Sequence, residues 1–262
     1  MPIVTDPGRP PTRHGPGWTE LDWASSEAFG TSVAMTARRC RIDPGMTGPP
    51  ITLAATEALV YVIAGSGSAA SDGEMFPLTG ESMLWLAGCD DVVLAAAADG
   101  LDALVAETTG DRRAAEVLRK LYSAGELPHL VSTRDTRDRL DLVTEEVSVG
   151  ARGIRADRIV YHPGDTAAAH YHTDAHHVFC VLTGSGLLHG DVAGESARLV
   201  AGVSALVGPG EVHWFENDRE EEFAFVEFWA PPPTETVWTV ANDRCTWAPA
   251  AAGTEPPRPP MA

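Results

Sequence analysis

Positive charge is scarce in this chain: 19 Lys and Arg stand against 37 Asp and Glu, a formal charge of -18 over 262 residues. A surface of that sign repels a polyanion before any site is reached, which excludes nucleic acid as a partner. Long apolar runs are missing as well. No segment offers the roughly 20 uninterrupted apolar residues of a membrane span, and the start MPIVTDPGRPPTRHG lacks the apolar stretch of a signal peptide. These absences predict a cytoplasmic protein with no membrane partner. Cysteine is thin: Cys40, Cys89, Cys180 and Cys245 lie far apart with no CxxC pair, so neither a zinc knuckle nor a redox dithiol is encoded locally. They read as small apolar fillers of strands.

A hydrophobic content of 44% is enough for a real core. Two stretches fall below it. Residues 1–17, rich in Pro, Gly and Arg, and residues 248–262, APAAAGTEPPRPPMA, carry too few bulky apolar groups to offset the entropy of ordering, and are expected to be disordered tails. Between them, short runs of Val, Leu, Ile and Phe alternate with Gly, Pro and Asp clusters at the spacing of an antiparallel sandwich or barrel: ALVYVIAGSG, SMLWLAG and DVVLAAA, then DRIVYHPGD, HVFCVLTGSG and EFAFVEFWAP.

One segment breaks the pattern. In DRRAAEVLRKLYSAG, Ala114, Val117, Leu118, Leu121 and Tyr122 fall at helical spacing, with Asp111 to cap the start and Gly125 to end it. We expect a connecting helix there and an extended, charged crossing over Thr133 to Asp141, making residues 111–141 a helical linker. The flanking halves repeat each other. YVIAGSG (Tyr61 to Gly67) returns as CVLTGSG (Cys180 to Gly186), and the spacing from Gly80 through Gly88 to Asp91 returns from Gly202 through Gly210 to His213.

Four of the nine histidines lie within eight residues, His170, His172, His176 and His177. The series Gly164-x5-His170-x-His172-x4-His177-x6-Gly184, followed by Gly202-x7-Gly210-x2-His213-x3-Asn217, resembles the two motifs of the cupin superfamily. The likeness is strong from Thr144 to about Trp229 and weak from Arg41 to Glu107. It implies an all-β bicupin fold, two jelly-roll barrels joined by the linker: residues 18–110 as the first barrel and 142–247 as the second. Two positions depart from the family's pattern. His177 stands where most members have glutamate, and the proline usual before Gly210 is displaced to Pro209.

Strand geometry supports the metal site that the resemblance implies. Residues i and i+2 of a strand face one side, so His170 and His172 project together, with Ala168 and Ala169 leaving space nearby. His213 enters from a distant strand, and the family's spacing selects His177 over its neighbour His176 as the remaining ligand. The expected cofactor is one divalent transition metal per chain, with Fe(II) first and Zn, Cu or Ni as alternatives, since all-imidazole ligands suit these better than manganese or magnesium. Parity places Phe179, Val181, Phe215, Asn217, Glu227 and Trp229 around the site. Glu227, Tyr161 and Arg158 are the candidate catalytic groups, as base, polar partner and anchor of an acidic substrate, with His162 and His189 further out. The first barrel has Ile51 and Leu53 at the positions of His170 and His172, and Asp91 at that of His213. It should be free of metal and serve as structural support.

The resemblance implies a metal-dependent enzyme acting on a small organic molecule, first of all an oxygenase-type cupin that activates dioxygen at ferrous iron. A zinc or nickel Lewis-acid cupin (cyclase, isomerase, lyase or aminohydrolase) and a non-catalytic small-ligand binder are the alternatives. Monomer and homodimer are both compatible with the sequence.

Overall fold

The structure, a computed structural model, describes residues 2–6, 8–53, 57–108, 118–144, 153–191, 194–240 and 243–254. Two compact units divide the chain, one formed by Gly8–Glu126, the other by Met1–Pro7 together with Leu127–Ala262. Among the described residues, helix is confined to Ser26–Phe29, capped by the Ser25 hydroxyl and Gly30, and one 3-10 turn at Ala124–Glu126.

In the first unit one antiparallel sheet runs in the order Leu118–Tyr122, Met83–Ala87, Glu57–Ser71, Asp91–Thr108, Met35–Ile42, Trp18–Ala24, Arg13–Gly15. Ile51–Thr52 and Glu74–Leu78 attach to its long strands. Alternate residues such as Val60 and Val62, Leu84 and Leu86, and Val92 and Leu94 fill its interior. Ile51 and Leu53 are buried in that apolar core.

The second unit is a sandwich of two sheets. One runs Ile3–Val4, Ser204–Val207, His176–Thr183, Phe223–Ala230, Arg155–Tyr161, Asp138–Val143, His129–Ser132, Trp247–Pro249; the other runs Ser196–Val200, Ser185–Gly190, His213–Glu216, His170–His172, Thr236–Trp238. Phe179, Val181, Phe223, Phe225, Ile159 and Tyr161 from the first sheet meet Leu188, Leu199 and Phe215 from the second. This is two-layer packing with every second residue turned inward.

The repeated glycine turn has one physical cause in both units. Gly65 and Gly184 sit at φ 79° and 70°. A Cβ on Gly65 would lie 2.1 Å from the Gly100 carbonyl oxygen, and one on Gly184 would lie 2.0 Å from that of Glu222. Each turn follows a register shift, between Val62 and Ala64 and between Val181 and Thr183. The backbone comes too close there for any side chain.

Three expectations are corrected. Leu118–Tyr122, placed in a helix by its apolar spacing, is a strand paired with Met83–Ala87 from Leu118↔Ala87 to Tyr122↔Met83. Pairing with a sheet edge outweighs helical propensity over so short a stretch; residues 109–117, with the Asp111 cap, lie outside the described residues. The charged crossing is instead two strands, His129–Ser132 and Asp138–Val143, in the large sheet of the second unit, which thus begins at Leu127. Nor are the ends wholly without order. Ile3–Val4 pairs with Leu206 and Ala205, Arg13–Gly15 with Trp18–Glu20, and Trp247–Pro249 with Leu130–Ser132. Main-chain hydrogen bonding holds these segments where side-chain apolarity alone would not. Residues 255–262 lie outside the described residues.

Candidate metal centre

Three paired strands bring the imidazoles together. His170 stands opposite both His213 and Trp238, and His172 opposite Thr236, while Tyr171 between them turns the other way. From the facing sheet, His177 is in register with Val207 and Trp229. Ring centroids are 5.2 Å apart for His170–His172, 4.5 Å for His170–His213, 5.6 Å for His172–His213, 4.9 Å for His172–His177 and 5.0 Å for His177–His213. One ring nitrogen from each of His170, His172 and His213 falls within 4.8 Å of the others. His176 is half-buried on the opposite side of its strand.

Hydrogen bonds decide which nitrogens carry protons. Nδ1–H of His170 donates to the Ala168 carbonyl (2.9 Å) and Nδ1–H of His213 to that of Glu211 (3.0 Å), leaving Nε2 of each unprotonated. At His177 the proton follows Glu227: Nε2 lies 3.1 Å from Oε2 and donates to it, or accepts from the carboxyl when that oxygen carries the proton. His177 Nδ1 lies 3.0 Å from His213 Nε2. With the proton on His177 Nε2, two acceptors face each other there, an arrangement that a cation resolves; with Glu227 donating, His177 Nδ1–H donates to His213 Nε2. His172 Nε2 accepts from the Trp229 indole (2.9 Å), and its Nδ1–H donates to Thr236 Oγ1 (3.1 Å).

The rings are neutral. Burial pushes His170 down to about 4 and His172 down to about 2, and holds His177 and His213 well below the usual imidazole range; repulsion among the rings adds to the lowering at His172, His177 and His213. Nε2 of His170 and of His213, each fixed by the carbonyl behind its ring, are donors of the kind a divalent transition ion takes, and Nε2 of His172 would join them by giving up its hydrogen bond from Trp229. The residues fit such an ion.

Beside the histidines opens a cavity of about 230 Å³. Phe215, Glu227 and Trp229, which parity places around the site, line it together with Tyr161, whereas Phe179, Val181 and Asn217 do not. Burial keeps the Glu227 carboxyl protonated well above the usual carboxylate range, although Arg139, Arg155 and Arg137 oppose the shift. Asp157, directly across the sheet from Glu227, is raised by burial in the same way despite Arg139 at 3.1 Å and Arg155 at 3.4 Å. Tyr161 is buried with its phenol pushed up, and its hydroxyl oxygen accepts from Arg137 Nη1 (3.1 Å).

Arg158 is a correction. It projects from the other face of its strand, 1% exposed, and does not line the cavity. Tyr161 and Arg158 are an odd number of residues apart and cannot share a strand face; Arg155, two steps of two before Ile159, takes the position instead. Sequence reading also missed Arg137 and Arg139, which lay in the supposed linker, and Thr236 and Trp238, whose strand borders the histidines. Cys245 is no plain filler: it lines the cavity and its sulfur accepts from Arg137 Nη2 (2.9 Å) and the Ala168 N–H (3.4 Å). His189 stacks on Trp214 and bonds Glu216, while His162 bonds Asp138; neither lines the cavity.

A protein-family model described as a cupin domain matches residues 157–229. No curated protein matches the chain. Among solved structures, a tryptophan-to-tyrosine variant of Bacillus subtilis oxalate decarboxylase superposes with a TM-score of 0.70 at 12% identity, covering 87% of this chain and 76% of that one. Another structure of the Bacillus subtilis protein, concerned with its Mn(II) centres, gives 0.68 at 12%, covering 85% and 75%. The Lactobacillus farciminis oxalate decarboxylase formate complex gives 0.70 at 11%, covering 87% and 85%. At such identity the likeness is one of fold, two barrels in one chain.

Proposed function

We propose that this chain, whose second barrel is a cupin domain within a bicupin fold, is a metal-dependent enzyme that acts on a small organic molecule in the cavity beside His170, His172, His177 and His213. The observation that carries the reading is the convergence of one ring nitrogen each from His170, His172 and His213 within 4.8 Å of one another, with His177 Nδ1 3.0 Å from His213 Nε2. A divalent ion held by these nitrogens, with ferrous iron our first choice, supplies Lewis-acid polarisation and a place to activate dioxygen.

The chain's own groups do the rest. Tyr161 accepts from Arg137, so its O–H proton is left to point at a substrate oxygen. Trp229, Trp238 and Phe215 exclude water from the cavity and favour a substrate with an apolar body. Glu227 has Oε2 engaged by His177, which leaves Oε1 as the atom that gives or takes a proton.

Dioxygenase-type chemistry is the first reading. A second, non-redox reading as a lyase or isomerase is favoured by Glu227 itself: a buried carboxyl kept protonated above its usual range is a proton donor, which carbanion chemistry requires and oxygen insertion does not. The test is metal analysis of the purified chain, followed by oxygen-electrode and anaerobic assays against a panel of small organic compounds. We expect stoichiometric transition metal that is lost in His170→Ala and His213→Ala proteins with unchanged far-UV circular dichroism. Turnover that consumes dioxygen supports the first reading; turnover without air supports the second. A wild-type chain that takes up no metal on reconstitution sinks both.

A further inference from the structure

We infer that the molecule taken by this cavity is an organic acid with a ring or other apolar body, its carboxylate held by Arg155. The inference rests on the cavity being a substrate site, as proposed above, and adds the substrate's chemical class and the residue that selects it.

Three guanidinium groups line the cavity, and they are not equivalent. Every nitrogen of Arg137 is engaged: Nε with both oxygens of Asp135 (2.8 and 2.9 Å), Nη1 with Tyr161, Nη2 with Cys245. Arg139 is anchored by Nε to Asp141 (2.6 Å) and Nη2 to Asp157 (3.1 Å). Arg155 has the same Asp157 oxygen as its acidic partner at the longer distance of 3.4 Å, and its side chain is 35% exposed. A guanidinium with one long ion pair and an open side keeps N–H groups for an arriving acceptor.

The position of this donor is specific. The Arg155 guanidinium lies 4.9 Å over the Trp229 ring. Trp229 in turn stacks on His177 at 4.4 Å and donates to His172. One indole therefore separates the cation from two of the candidate ligands. A carboxylate matches a guanidinium in two parallel hydrogen bonds, which neither an amide nor an alcohol reproduces with charge. The remaining wall, Trp229, Trp238, Trp247 and Phe215, suits the flat or apolar remainder of such an acid. About 230 Å³ holds one ring or a short chain and no polymer.

The test is calorimetric titration of the full-length protein with benzoate and with benzamide, its neutral isostere. It is done on wild type, Arg155→Met, Arg155→Lys and chelator-treated wild type, with folding checked by circular dichroism. We expect benzoate to bind at least about tenfold tighter than benzamide in wild type. That preference should fall to near unity in Arg155→Met, survive in part in Arg155→Lys, and persist after chelation. Equal binding of benzamide, failure of benzoate to bind, or a preference retained in Arg155→Met would overturn the inference. So would a preference that chelation abolishes, because the metal would then be the anion receptor. If no preparation contains metal while the preference follows Arg155, the enzymatic reading fails and this one stands.

Discussion

Replacing Gly184 by alanine tests the most demanding piece of backbone in the second unit. The residue sits at φ 70°, where an L side chain costs about 1–2 kcal/mol. The added Cβ would also lie 2.0 Å from the Glu222 carbonyl oxygen and 3.1 Å from the Phe223 Cα, so the strand Phe223–Ala230 has to retreat. That retreat strains the Ala201 N–H to Gly184 carbonyl bond (3.1 Å) and the adjoining ladder, at roughly 1 kcal/mol for each bond weakened. The sum is about 3–5 kcal/mol, or a fall in Tm of the order of 10 °C. Gly202 is the control: its φ is 89°, yet a Cβ there meets nothing within 4 Å, so Gly202→Ala should lose only the conformational part. Thermal melts followed by near-UV circular dichroism compare the two proteins. If Gly184→Ala melts no lower than Gly202→Ala, the close approach to Glu222 is not a determinant of the fold and the reasoning is refuted.

Metal-free protein should lose stability on the acid side as the buried imidazoles charge. Unfolded His titrates near 6.5, whereas His170 and His172 are held down to about 4 and about 2, so the unfolded chain binds more protons and stability falls as pH drops below about 6.5. On the alkaline side the sign reverses. The folded chain keeps protons on Asp157 and Glu227 that the unfolded chain releases near pH 4, so these groups weaken the fold as pH rises from about 4 to about 8, and Asp157→Asn should flatten the decline in Tm between about pH 6.5 and 8; an unchanged slope contradicts the burial of that pair. Phe179, fully buried against His177 at 4.0 Å and Phe215 at 4.6 Å, should cost about 3–5 kcal/mol when cut to alanine, measured by urea unfolding. A loss below about 1 kcal/mol would mean that this layer of the sandwich is not close-packed.

The histidine half of the site was legible because its spacing answers to geometry. A turn that only glycine fits precedes Ser185, two rings share a strand face at His170 and His172, and alternation carries the count from Phe223 and Phe225 to Glu227 and Trp229. The cationic half was not legible. Arg137 and Arg139 alternate with Asp135 and Asp141 in a stretch that reads as solvated, and what buries them is the aromatic cover of Tyr161 and Trp247 at 5.0–5.6 Å, which only the folded chain reveals. Arg155 could have been found by counting back from Tyr161 in twos. The helix at Leu118 failed for another reason: five residues satisfy either period, and a waiting edge decided the matter.

The pairing of Ile3 and Val4 with Leu206 and Ala205, fastened by Thr5 Oγ1 to Ser204 Oγ at 3.0 Å, has a consequence for synthesis. Ile3–Val4 must wait some two hundred residues for its neighbour, while the unit Gly8–Glu126 can collapse in the interval. In chain order one unit is an insert within the other, and this edge of the outer one can be sealed only after Leu206 has been made.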